Sequence, residues 1–313
     1  MSIPPLTISA IIPTRHRAVD LGHAVASILG QERLPDELII VDQSTDNLSK
    51  DDIVPRVGRA SSIRLVYLHD TSITGLVDAK RVGSACASGE LVCFLEDDVV
   101  LEPAYFRELE RGFNEHPDMI GSSGVITNQP HSSSLYRALH GVFFRGIFKD
   151  GRPAIYERAA RDPKDLLPSH VLSGGLSAWR RRVFERVSFD VRNGFFMFED
   201  MEFATRVVKE FGPRLYVNPR ARLEHNFSPV NRDVHGARQR RKTSEACIFY
   251  KTRRDWPGAR SGLGFAMCWW LGEAVLQSMR LRTLGPLRGY FRGIADGSRR
   301  PLVSEAPMKE AAR

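Results

Sequence analysis

Short apolar runs alternate with amphipathic stretches through the first hundred residues, and two of those runs end in carboxylates. Ile8-Ser9-Ala10-Ile11-Ile12 is the first run, and Pro13 stops it. Leu38-Ile39-Ile40-Val41 is the second and ends in Asp42; residues 63–68 form the third. After the first run, Leu21, Val25, Ile28 and Leu29 share one helical face, with Asp20 as the candidate N-cap and Gly30 at the end. Residues 79–87 are rich in small side chains and read as a further helix, and Leu91-Val92-Cys93-Phe94-Leu95 follows. Strands alternating with helices specify βαβ units, right-handed crossovers and a parallel sheet.

The last of these runs leads directly into Glu96-Asp97-Asp98. Three adjacent carboxylates repel one another unless a cation sits among them. Hard divalent cations take oxygen ligands and share their shell with substrate phosphates. In an open parallel sheet, ligands collect at the carboxyl ends of the strands. The pattern therefore suggests a metal-phosphate site, although a solvated acidic turn gives the same letters.

Six segments in one order resemble the family 2 glycosyltransferases. They are Ile11-Ile12-Pro13-Thr14-Arg15, residues 39–46, residues 75–83, Phe94-Leu95-Glu96-Asp97-Asp98, Ser173-Gly174-Gly175-Leu176 and Phe198-Glu199-Asp200-Met201-Glu202-Phe203. Together they span roughly residues 8–227. The resemblance implies the GT-A nucleotide-diphospho-sugar transferase fold, an α/β architecture with a mostly parallel sheet flanked by helices. It also implies transfer of a sugar from a nucleotide diphosphate donor to an acceptor hydroxyl, with inversion and with Mg²⁺ or Mn²⁺ as cofactor. On this pattern Asp98 binds the metal, and Asp97 lies beside the nucleotide. Pro13, Thr14 and Arg15 form the nucleotide-pocket loop. Asp42 contacts the nucleoside, and Lys80 and Arg81 face the nucleotide, with Arg81 standing where the family has Asn. Glu96 replaces the more usual Asp of the first acidic position. Gly174 and Gly175 fall in the acceptor and sugar region, where small residues allow close backbone approach; a tight turn reads the same way. Asp200 is the implied general base, supported by Glu199. The pair also suits simple capping, since the macrodipole favours negative charge at a helix start.

The resemblance divides the chain into a catalytic domain over 1–230 and a helical basic or amphipathic extension over 231–300. The catalytic domain has a nucleotide-binding half over about 1–125 and an acceptor half over about 126–230. The composition of 301–313 predicts a disordered tail. Within this frame a helix is expected over about 104–114, a strand over 120–125, a long acceptor-contacting loop over 127–169 and a basic helix over 179–187. A short strand should end at Leu223-Glu224-His225-Asn226. His225 is either a structural hydrogen-bonding residue or a metal ligand, as in several metal-dependent members of the fold.

Residues 262–279 are rich in large apolar side chains, with Trp269 and Trp270 adjacent and Glu273 interrupting. Spanning a bilayer takes ~20 predominantly apolar residues, so this stretch is expected not to span. With the arginines that follow, it reads either as a helix lying in a membrane interface or as one packed on the protein. The charge of +8 suits an anionic partner, and no nucleic-acid motif accompanies it. The basic run from 233 to 254 is either a solvated helix face or a surface toward phosphates. The four cysteines show no Cys-x-x-Cys spacing and read as reduced thiols; no signal peptide is evident. The expected protein is a cytoplasmic enzyme, peripheral at most, acting in cell-envelope, polysaccharide or glycolipid synthesis. A sugar nucleotidyltransferase is the rival, weakened by the absence of glycine from Pro13-Thr14-Arg15-His16-Arg17. A decayed, membrane- or polymer-binding transferase is the non-enzymatic rival.

Overall fold

A computed structural model of the chain describes residues 5–60, 62–162, 164–230 and 233–303. These divide into two compact units, one of residues 5–137, 151–189 and 203–230, the other of 138–150, 190–202 and 233–303.

The first unit is built on a nine-stranded sheet. Its strands are β1 (Ile8–Thr14), β2 (Glu37–Asp42), β3 (Arg64–His69), β4 (Leu91–Phe94), β5 (Val99–Leu101), β6 (Gly121–Ile126), β7 (Leu167–Ser169), β8 (Ser177–Arg180) and β9 (Leu215–His225). They lie in the order β3-β2-β1-β4-β8-β6-β9-β5, and β7 pairs with β9. The α-helices among the described residues are α1 (Ala18–Leu29), α2 (Leu48–Ala60), α3 (Leu76–Cys86), α4 (Tyr105–Glu115), α5 (Ser134–Phe143), α6 (Arg152–Arg161), α7 (Glu199–Phe211), α8 (His235–Thr252), α9 (Ala259–Leu281) and α10 (Gly285–Arg299).

Strands β1 to β4 pair in parallel, as the alternation predicts. Both faces of β1 are buried, so it reads as a near-continuous apolar run. Ile8, Ala10 and Ile12 pack with Leu21, Val25 and Ile28 of α1. Ile11 points the other way, against Gly83 of α3. Beyond β4 the sheet is mixed: β8 runs antiparallel to β4 and β6, β6 is parallel to β9, and β5 and β7 are antiparallel to β9.

Pro13 would be out of place inside a central strand, because it has no N–H. Odd-numbered residues of β1 bond toward β4, as Leu95 N–H donating to the Ile11 carbonyl at 2.9 Å shows. Even-numbered ones bond toward β2, as Gln43 N–H donating to the Thr14 carbonyl at 3.0 Å shows. Pro13 thus faces the β4 side just past the last rung, Leu95 N–H to the Ile11 carbonyl, and the β1–β4 pairing ends there.

Several expectations need correction. Asp20 lies in the first turn of α1; the N-cap is Arg17, which makes no side-chain capping bond. Residues 127–169 hold α5, α6 and β7. The apolar periodicity there is poor because only Ala159 of α6 is buried, and side-chain pairs such as Arg161–Glu157 at 2.9 Å support the helix instead. Trp179 is in β8, and a short 3₁₀ turn over Arg181–Val183 replaces the basic helix. The strand ending at His225 is eleven residues long. Cys93 and Cys247 are buried, Cys86 is half-buried and Cys268 is exposed; all are free thiols.

The second unit has an aromatic core in which Phe148, Phe198, Phe249 and Trp270 meet with ring centroids 5.3 to 6.0 Å apart. Helix α10 lies close on α8 because Gly289, Gly293 and Gly297 recur along its contact face, where a Cβ would strike α8. Much of the basic run is spent inside this unit. Arg240 pairs with Asp296 at 2.6 Å, Lys242 with Glu273 at 2.8 Å and Arg253 with Glu202 at 3.2 Å, and Arg241 pairs with Asp233. Val303 N–H donates to Asn193 at 3.3 Å, so the tail is held to that point. Residues 304–313, the rest of the expected tail, lie outside the described residues. Among the described residues no helix is long and apolar enough to cross a membrane.

Candidate metal and donor site

The carboxyl end of β4 gathers a cluster of buried polar groups. Glu96, Asp98 and His225 each place a ligand atom within 4.8 Å of the others. His225 Nε2 is 2.9 Å from Glu96 Oε2 and 3.0 Å from Asp98 Oδ1. Strand pairing brings them together, since β5 follows the acidic triplet and sets Val99 opposite His225 of β9. The Asn128 side-chain carbonyl accepts the His225 N–H at 3.0 Å, and the Phe227 ring stacks on the imidazole at 3.9 Å. Ser228 N–H donates to Asp98 Oδ2 at 2.9 Å. Burial opposes charge on the imidazole, but hydrogen bonding and attraction from Asp98 and Glu96 prevail and hold its pKa at about 9.

Asp97 turns the other way. Its two oxygens accept from Thr14 Oγ1 and Arg17 Nη1, both at 2.8 Å. Arg17 Nη1 is also 3.8 Å from Asp98, and its Nη2 donates to the Val230 carbonyl. Burial pushes the Asp97 carboxyl up to about 6 against the pull of Arg17 and Thr14. The mutual repulsion of the triplet is thus relieved in part by Arg17 and His225. The repulsion was readable from sequence, and His225 was one of the two metal-ligand candidates there; Arg17 was not found, since an arginine in a loop carries no local pattern.

The other expected residues fall in distinct places. Thr14 opposes Asp42 in the β1–β2 register. Asp42 is fully buried and accepts from Tyr67 Oη at 2.6 Å and Ser44 N–H at 2.9 Å. Pro13 is buried and Arg15 exposed. Lys80 is 1% exposed and donates to the Gly174 carbonyl at 3.0 Å. Arg81 turns to Asp78 at 2.8 Å. Gly174 and Gly175 open a 3₁₀ turn, and the Gly175 carbonyl accepts the Glu96 N–H at 3.0 Å.

Gly175 has no room for a side chain, because a Cβ there would fall inside Glu96. Gly175→Ala should therefore displace the Glu96 carboxylate from Asp98 and His225. Disturbing groups that orient metal ligands typically costs 10–100-fold in affinity. Titration calorimetry of Mn²⁺ with a nucleoside diphosphate should show a loss of roughly that size; unchanged affinity would mean that Glu96 does not contribute.

The second unit carries Glu199 and Asp200 in the first turn of α7. Asp200 Oδ1 accepts the Met201 N–H at 2.7 Å, and Glu199 is buried.

A mixed α/β sheet with flanking helices, carrying a carboxylate–imidazole cluster at a parallel strand end, is the GT-A fold. The sequence model for "Glycosyl transferase family 2" matches residues 9–188, and the chain belongs to that family. Similar solved structures share the fold at low identity. The mannosyltransferase PcManGT from Pyrobaculum calidifontis, in complex with GDP-Man and Mn²⁺, is 15% identical with a TM-score of 0.61, over 94% of this chain and 87% of that one. S. aureus TarS 1-349 in complex with UDP-GlcNAc is 15% identical with a TM-score of 0.59, over 93% and 80%. GalNAc-T7 with UDP, GalNAc and Mn²⁺ is 17% identical with a TM-score of 0.57, over 83% of this chain and 52% of that one.

Proposed function

We propose that the protein is a metal-dependent, inverting glycosyltransferase that moves a sugar from a nucleoside diphosphate to an acceptor hydroxyl. The observation that carries this reading is the Glu96, Asp98 and His225 cluster at the end of β4. Two carboxylates and an imidazole suit a divalent cation of the Mn²⁺ or Mg²⁺ type, and the nitrogen donor favours Mn²⁺. When bound, the cation would act as a Lewis acid on the donor's phosphates as the leaving group develops charge. Thr14, Arg15 and Asp42 would hold the nucleoside end. Lys80, through Gly174, would shape the turn beside Glu96; Arg81, engaged with Asp78, would act at the pocket rim. Asp200 would take the proton from the acceptor oxygen as it attacks opposite the phosphate, with Glu199 beside it. A single displacement inverts the anomeric centre.

The test is a panel of UDP- and GDP-sugars incubated with Mn²⁺, with products identified by NMR. Release of nucleoside diphosphate and a sugar of inverted configuration supports the proposal. Retained configuration excludes a single displacement, and release of nucleoside monophosphate or pyrophosphate instead favours nucleotidyl transfer.

A specific observation also favours a peripheral location at a membrane surface. The tryptophans expected to meet lipid do not face outward. Trp270 is 4% exposed, and Trp269 is half-buried against Phe143 and Phe144. The opposite face of α9 is exposed instead: Leu276 is 68% and Met279 is 71% exposed, close in sequence to Arg280 and Arg282. An apolar face rimmed by arginines suits an anionic lipid surface, and would suit a lipid-linked acceptor. Sedimentation with vesicles containing phosphatidylglycerol should show binding that falls with salt. Leu276→Gln with Met279→Gln should weaken it at least about tenfold, since burying each such side chain is worth roughly 1.5–3 kcal/mol. Equal binding to vesicles of phosphatidylcholine alone, or none to either, would count against the location.

A further inference from the structure

Glu245 of α8 is 4% exposed, and one of its oxygens accepts three consecutive backbone amides. Phe196, Met197 and Phe198 N–H donate to Oε2 at 3.0, 2.7 and 3.1 Å. These residues immediately precede Glu199 and Asp200, and Phe198 is already tied to α7, since its carbonyl accepts the Glu202 N–H at 2.8 Å. From the end of the same helix, Arg253 Nη2 donates to the Glu202 carbonyl at 3.0 Å and pairs with its carboxylate. Helix α8 thus grips the chain on both sides of Asp200.

Burying a carboxylate is costly unless its charge is met by donors. Here three amides meet it, arranged as the kind of N–H concavity that binds anions. An apolar residue could fill the same core volume beside Phe249 without that cost. What it could not do is fix the direction in which residues 196–198 enter α7. That direction sets where the side chain of the second helical residue points.

We propose that Glu245 is a positioning residue for Asp200, holding the 196–198 segment so that the carboxylate of Asp200 meets the acceptor hydroxyl in productive geometry. This rests on the assignment of Asp200 as the base. Catalytic groups need to be held within about 0.5 Å, and a misplacement of about 1 Å costs on the order of 10²-fold.

A double-mutant cycle tests it, read as release of nucleoside diphosphate from the UDP- or GDP-sugar that turns over fastest with Mn²⁺. Glu245→Ala should slow kcat roughly 10- to 100-fold, leaving KM for the nucleotide sugar unchanged. In the Asp200→Asn background the same change should slow kcat no further, because a residue acting through Asp200 has nothing left to position. Glu245→Gln keeps an oxygen acceptor in place and should restore near-normal turnover. If Glu245→Ala does not fold, Glu245→Asp withdraws the oxygen by one methylene and takes its place in the cycle. Losses that multiply in the double mutant overturn the proposal, as does normal kcat in Glu245→Ala or Glu245→Asp; both leave the Asp200 assignment standing. Normal kcat in Asp200→Asn alone removes that assignment and the positioning role with it.

Discussion

Asp200→Asn should turn over roughly 10²- to 10⁴-fold more slowly than the wild-type protein, the usual share of general acid–base catalysis. The substitution keeps size and shape, and an amide oxygen can still accept the Met201 N–H that Asp200 Oδ1 accepts at 2.7 Å. What is lost is the charge. At the start of α7 that charge is worth about 0.3–1 kcal/mol of stability through the macrodipole. The kinetic loss corresponds to about 3–5 kcal/mol at 1.36 kcal/mol per decade, so chemistry dominates and the melting temperature should move little. Donor affinity, measured by calorimetry, should be unchanged. Turnover within about threefold of wild type, at intact folding, would show that another group takes the proton.

Asp98→Asn should weaken Mn²⁺-dependent binding of a nucleoside diphosphate by more than about 100-fold, since altering even the groups behind metal ligands costs 10–100-fold. Alanine is a poorer choice than the strand-end position alone suggests. Asp98 is 4% exposed and accepts the Ser228 N–H, and orphaning that buried amide costs about 1–3 kcal/mol. Asparagine leaves an oxygen for Ser228 and removes only the charge that a cation would meet. His225, 3.0 Å from Asp98, and Arg17, 3.8 Å from it, each lose a charged partner too. Comparable titrations without metal should show no difference between the two proteins. Equal affinity with Mn²⁺ would remove Asp98 from the metal shell.

The parallel half of the sheet was legible because its strands are buried on both faces, so the apolar runs of β1, β2 and β4 stand out in sequence. The acids at their ends were legible for the same reason. Strand β9 was legible only at its end, because its eleven residues include Asn218, Pro219, Arg220 and Arg222 and do not form an apolar run. Glu96 was visible, but its place in the cluster was not. Its reach to His225 depends on the pairing of β5 with β9, and its backbone on the close approach of Gly175. Arg17 and Glu245 act over long sequence separations and leave no periodic trace. In α9 the apolar side chains occur all around the helix, so sequence could not say which face turns outward. The packing of Trp270 on Phe148 and Phe198 decides it.

We propose that Glu96, Asp98 and His225 hold the divalent cation that carries the donor's diphosphate. Anomalous diffraction at the manganese edge, from crystals grown with Mn²⁺ and UDP or GDP, addresses it most directly. One strong peak bounded by these three side chains is expected, with the diphosphate oxygens on its far side. A manganese peak elsewhere, or a diphosphate bound away from the end of β4, would contradict it.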